Sequence, residues 1–99
     1  MASKLSDRMR RLREVSGARY EDIAVVAGCS TAQIGHLCTG FRDDPAVSTL
    51  VNLSRAFRVD LLWLITGEGV VPSDEDIREG WAKRSKRRRR ASTRTKGVV

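Results

Sequence analysis

At 99 residues the chain reads as one domain plus at most a tail, and about 65 structured residues bury a core of only marginal stability, so self-association is plausible. Two cysteines, no signal-peptide pattern and no apolar run near the ~20 residues that cross a bilayer point to a soluble, cytoplasmic protein of a reducing compartment with no membrane role. The net charge of +7 is uneven: residues 83–96 hold nine of the 19 Lys and Arg and none of the 12 Asp and Glu, which leaves residues 1–82 at −2. Attraction for a polyanion must then come from the tail and from local basic positions.

Leu5, Met9, Leu12 and Val15 recur at spacings of 4, 3 and 3, which predicts a first helix with Ser3 as its cap and Gly17 as its stop. Arg8, Arg10, Arg11 and Arg13 are expected on its outer face, where they solvate the domain, with contact to backbone phosphate as the lesser alternative. Ile23, Ala24 and Ala27 give a second helix a small apolar face, and Gly28 can take the left-handed conformation that ends it. Ser30 then caps a third helix, Thr31 to Cys38, which Gly40 stops. A rotation of about 100° per residue puts Ile34 and Leu37 on one side of it and Ala32, Gly35 and His36 on the other, flanked by Thr31 and Gln33. Tyr20–Gly40 therefore reads as two helices joined by a sharp turn, the second polar on its free face, which is the layout that places a helix in a DNA groove.

Phe41–Ala46, with Asp43, Asp44 and Pro45, reads as a loop. A fourth helix follows over about Val47 to Phe57, with Val47, Leu50, Val51, Leu53, Ala56 and Phe57 as a buried stripe and Asn52 and Arg55 outward. Asp60 caps a fifth, about Leu61 to Thr66, and Gly67 ends it. Five consecutive apolar residues exceed what one face of that helix can bury: Leu61, Leu64 and Ile65 share an arc, and Leu62 and Trp63 fall outside it. Either the small fold buries this helix on two sides, or Leu62 and Trp63 form a patch that pairs with a second copy; pairing is favoured. Val70, Val71 and Pro72 form an extended connector. Ser73 with Asp74, Glu75 and Asp76 then caps a sixth helix reaching about Arg88, expected only where docking or binding supports it, since Gly80 weakens its middle and only Ile77 and Trp81 are apolar contacts. Residues after about Ala91 are expected to be disordered.

The first helix, the stretch GARYEDIAVVAGCSTAQIGHLCTG, the loop to Pro45, the fourth helix and the ending VDLLWLITGEG together resemble the Cro and repressor DNA-binding domain of temperate phages and its bacterial relatives. The resemblance spans about residues 4–69 and implies an all-α, compact five-helix, lambda-repressor-like helix-turn-helix domain, with 70–82 as connector and start of a sixth helix and 83–99 as a basic, partly disordered tail. It also implies a sequence-specific regulator of transcription, of the repressor class, that binds double-stranded DNA as a homodimer on a pseudo-palindrome. The first, second and sixth residues of the third helix meet bases in such proteins; here they are Thr31, Ala32 and His36, with Gln33 beside them. Gln can pair with adenine, His can donate to guanine, and the Thr31 and Ala32 methyls can pack on a thymine methyl. Phosphate contacts fall to Arg19, Tyr20, Thr39 and Arg42, with Tyr20 standing where relatives often carry Gln. The tail cations Lys83, Arg84, Lys86, Arg87, Arg88, Arg89 and Arg90 add sequence-independent attraction.

Cys29, His36 and Cys38 lack a CxxC pair and a fourth ligand, so neither a metal nor a cofactor is expected. No hydrolytic or transfer chemistry is legible, because the acids are scattered or sit at helix starts and the sole histidine lies on the third helix. The alternative from another class is an antitoxin or a DNA-packaging adaptor that holds a protein partner through the fifth helix and the tail.

Overall fold

A computed structural model describes residues 4–42 and 44–84. Ser3, Asp43 and the tail cations Lys86, Arg87, Arg88, Arg89 and Arg90 lie outside the described residues. The described part is all helical: α1 Leu5–Ser16, α2 Tyr20–Ala27, α3 Thr31–Thr39, α4 Val47–Phe57 and α5 Leu61–Thr66, then α6 over 74–84.

One core joins these helices. Met9 and Leu12 of α1, Ile23 of α2, Ile34 of α3, Leu53 and Phe57 of α4, Leu64 of α5 and Ile77 of α6 are all fully buried in it. α3 is mounted on α1 and α2, while α4 backs α2 and leads into α5. The N-cap of α1 is Lys4 rather than Ser3, and the Asp7 carboxylate accepts the Lys4 backbone N–H at 3.2 Å, satisfying one orphan donor of the first turn. That hydrogen bond, together with the Arg10 guanidinium, holds the Asp7 carboxyl below its ordinary value.

Arg8 is not on the solvated face. It is only 4% exposed, and its Nε and Nη2 donate to the Leu64 and Ile65 carbonyls, both at 2.9 Å. Those carbonyls belong to the last turn of α5, where no intrahelical donor reaches them and the helix dipole favours a cation. Burial pulls the Arg8 pKa down, with Asp7 opposing, yet a guanidinium stays charged.

Four positions of α4 and α5 also depart from expectation. Val47 is 72% exposed because the apolar stripe of α4 runs past the edge of the core at its first turn. Asn52 does not face outward: it is half-buried, and its Nδ2 donates to the Ala27 carbonyl at 3.1 Å, closing the end of α2. In α5, Trp63 is buried and Ile65 exposed, the reverse of their expected places. The cause is that α5 wedges between α4 and α1, so it is buried on two sides, with the Arg11 guanidinium 5.9 Å from the Trp63 ring. Trp63 is therefore a core residue with no surface left for pairing, whereas Leu62 is 52% exposed.

α6 is docked within the chain. Ser73 and Asp76 exchange side chain-to-backbone hydrogen bonds at 3.1 and 3.2 Å, a capping box that starts the helix. Arg11 donates to the Pro72 carbonyl at 2.6 Å and to Asp74 at 2.9 Å, tying the connector to α1. Trp81 stacks on Phe57 with centroids 4.9 Å apart, and Gly80 lies directly on the Phe57 carbonyl. Gly80 is thus the contact that lets α6 approach, not merely a weak point in it.

Candidate nucleic-acid interface

The α2–α3 turn is built from backbone hydrogen bonds. Gly28, at φ 74°, ends α2 while the Gly28 and Cys29 N–H groups both donate to the Ala24 carbonyl, at 2.9 and 3.1 Å. Ser30 then starts α3 with a reciprocal pair: its hydroxyl accepts the Gln33 N–H, and the Gln33 Oε1 accepts the Ser30 N–H, each at 3.1 Å. The start of α3 is rigid as a result. It also constrains Gln33, because bidentate pairing with adenine needs both ends of the amide, and the cap takes one acceptor site of the oxygen and fixes where it points. The amide nitrogen alone remains to donate outward.

Ile34, Leu37 and Cys38 anchor α3 in the core, while Thr31, Ala32 and Gln33 are exposed and Gly35 and His36 half-buried. The face expected to read bases is therefore the free one. A Cβ on Gly35 would meet nothing within 4 Å, so the middle of this face is open backbone. Small residues there let the helix come close to whatever it faces.

The chain turns back over the end of α3. Gly40 takes φ 84°, the Arg42 N–H donates to the His36 carbonyl at 3.2 Å, and the Thr39 hydroxyl donates to the same carbonyl at 3.3 Å. Thr39 also accepts the Phe41 N–H at 3.4 Å, so its hydroxyl is used in the turn. Phe41 is left 75% exposed with its ring 4.7 Å from that of His36. In the sequence Phe41 reads as part of a loop, and an aromatic residue directly after the glycine stop is the one signal for it.

The expected phosphate contacts are scattered around this face. Arg19 is exposed, its Nε 3.4 Å from both Glu21 and Asp22, which offset its charge. Tyr20 packs against the core under the Arg13 guanidinium, 4.3 Å above its ring. Arg42 is exposed and lines a pocket of about 240 Å³ with Gln33, Asp44 and Thr49. Lys83 and Arg84 stand elsewhere, on α6 at the α4–α5 corner, where Lys83 shares a groove with Asp76 and Glu79. Two further cations take a better place: Lys4 and Arg10, the latter expected chiefly to be solvated, line a groove with Ser6, Thr39 and Gly40, beside the end of α3. Only the close approach of α1 to Gly40, where a Cβ would lie 3.5 Å from the Ser6 hydroxyl, brings them there.

Burial raises the pKa of the Cys29 and Cys38 thiols, as expected of small packing residues rather than reactive ones. Among the described residues, no group of three or more His, Cys, Asp or Glu could hold a metal ion, and no helix is long and apolar enough to cross a membrane. The chain matches no curated protein and no solved structure. A family model described as a helix-turn-helix domain matches residues 4–62, from the cap of α1 into α5. With an all-helical fold and a matched span of more than half its length, the chain belongs to the helix-turn-helix family of DNA-binding domains of the Cro and repressor type.

Proposed function

We propose that the chain is a sequence-specific transcriptional repressor of the prophage type that binds a pseudo-palindromic operator as a two-fold dimer. The observation that carries this reading is the free face of α3: small and open at Ala32 and Gly35, flanked by Thr31, Gln33 and His36, and fixed from behind by Ile34, Leu37 and Cys38. Such a helix fits the major groove, with the two copies about 34 Å apart on successive turns. Thr31, Ala32 and His36 would meet base edges, and Gln33 would donate from its amide nitrogen to a base or a phosphate. Arg19, Tyr20 and Arg42, joined by Lys4 and Arg10, would lie along the backbone, while Thr39 serves the turn rather than a phosphate. Leu62 and Ile65 on the outer side of α5 support pairing with a second copy, since both leave apolar surface in water.

The test is selection of binding sites from randomised duplex DNA at a stated salt concentration, followed by sizing of the complex. A two-fold symmetric site and two chains per duplex are expected. His36→Ala and Gln33→Ala should relax preference at separate positions, each with a loss of about 0.5–1.5 kcal/mol, that of one hydrogen bond. Unchanged selection by both variants would remove direct readout from this face.

A further inference from the structure

We infer that Phe41 is a specificity-determining residue of the same interface: it packs on a thymine methyl at the C-terminal end of α3 and holds the His36 imidazole against the neighbouring base edge. This rests on the proposed entry of α3 into the major groove. An isolated exposed apolar side chain is ordinary on a protein surface. Phe41 is different because its position is built. Its backbone N–H is held by the Thr39 hydroxyl, the next residue is tied to the His36 carbonyl, and its ring rests against the His36 ring at a tilt of 52°. Residues 39–42 therefore hold an aromatic ring, 75% exposed, beside the last outward side chain of the reading face.

The occupant follows from that continuity. Ala32, Gly35, His36 and Phe41 make one strip, whose first half is nearly featureless and whose end carries an imidazole and a phenyl ring. A thymine presents an apolar methyl in the major groove beside hydrogen-bonding base edges, the pairing that a joined phenyl and imidazole match. The exposed Arg42 next to Phe41 suits a phosphate-lined groove more than an apolar protein partner. Contact with His36 also restricts the imidazole, so that less rotamer freedom is lost when it meets a base.

The experiment uses the full chain with Phe41→Ala, Phe41→Leu and His36→Ala, first in site selection and then on the selected duplex with each thymine in turn replaced by deoxyuridine, which lacks the methyl. Removing the critical methyl should weaken wild-type binding about fourfold, the effect of one buried methyl-sized group. Phe41→Ala should be insensitive to that replacement and should relax selection at the His36 position as well. Phe41→Leu should keep the methyl sensitivity while losing preference at the His36 position, because a leucine packs on a methyl but offers no ring to the imidazole. Thermal unfolding should show the same midpoint for all three Phe41 forms. If Phe41→Ala selects the same site with the same deoxyuridine sensitivity while His36→Ala does not, this inference fails and the proposed function stands. A Phe41→Ala change in the mass of the free protein with unchanged site selection would assign the ring to a second copy and also overturn it. Unchanged selection by every variant, with His36→Ala and Gln33→Ala included, would overturn both this inference and direct readout by the face.

Discussion

Gly80→Ala has opposite expected effects depending on whether α6 is a free helix or a docked one. In a free helix the change is stabilising by about 0.8–1 kcal/mol, because glycine is the poorer helix former. In the folded chain an alanine Cβ at this position would overlap the Phe57 carbonyl oxygen, with the Phe57 carbonyl carbon at 2.9 Å and the Arg58 Cβ at 3.2 Å. Backbone cannot move aside as a flexible side chain can, so α6 must lift. Lifting exposes Ile77, now fully buried, at a cost of about 1.5–3 kcal/mol, and separates the Trp81–Phe57 stack, a further 0.5–1.5 kcal/mol or so. A helix that undocks also frays, so the propensity gain is largely forfeited. The net expectation is a loss of about 2 kcal/mol or more, which for a domain of this size lowers the melting midpoint by roughly 8–16 °C. Urea and thermal unfolding read the loss, and tryptophan fluorescence compared with Trp81→Phe separates the Trp81 signal from that of buried Trp63. A Gly80→Ala variant more stable than wild type, with unchanged Trp81 emission, would refute the docking of α6 on Phe57.

Four further outcomes follow from the same geometry. Arg8→Met should cost about 2–4 kcal/mol in urea unfolding, since two charge-assisted hydrogen bonds vanish and the Leu64 and Ile65 carbonyls lose donors; Arg8→Lys should recover only part, having no fork to span them. Gly35→Ala should stabilise the fold by up to about 1 kcal/mol, because the site is open, while weakening binding of the selected duplex by placing a methyl on the approaching face. Asp7 has its carboxyl held below the ordinary 3.8, so its contribution is complete above the unfolded value and is lost as pH falls through the lowered folded value. Stability measured against pH should accordingly drop less steeply in acid for Asp7→Asn than for wild type, and identical slopes would deny Asp7 a part. Removing residues 85–99, which spares the described residues of α6, deletes seven cations and should weaken binding to all duplexes alike while flattening the slope of log K against log salt; an unchanged slope would show that the tail does not contact DNA.

Much of the candidate site was legible before any coordinates, because it depends on local rules. Glycines at 17, 28, 40 and 67 end helices in the left-handed conformation, and Ser30, Asp60 and Ser73 begin them, all through contacts only a few residues apart. The outward set on α3 likewise follows from the helical repeat alone. The capping role of Gln33 was equally local, a Ser-x-x-Gln box in plain view, and its meaning for base readout was missed because the same residue type also suits adenine.

Other features had no local signature. Arg8 carries the same side chain as Arg10 two residues on, and only the arrival of the α5 carbonyls, more than fifty residues away in sequence, decides that one is buried and the other exposed. The run Leu61–Ile65 is apolar at every position, so helical periodicity cannot phase it; the wedge of α5 between α1 and α4 turns Trp63 inward and leaves Leu62 and Ile65 out. Gly80 looks like a helix breaker until Phe57 is placed beneath it. By itself the amino-acid order determined where helices start and stop and which face of α3 is free, since those depend on hydrogen bonds within one or two turns. Tertiary packing alone decided which cations are structural and which apolar residues stay exposed, since each requires two elements to meet in space, whereas the Phe41–His36 contact is closed within residues 36–42.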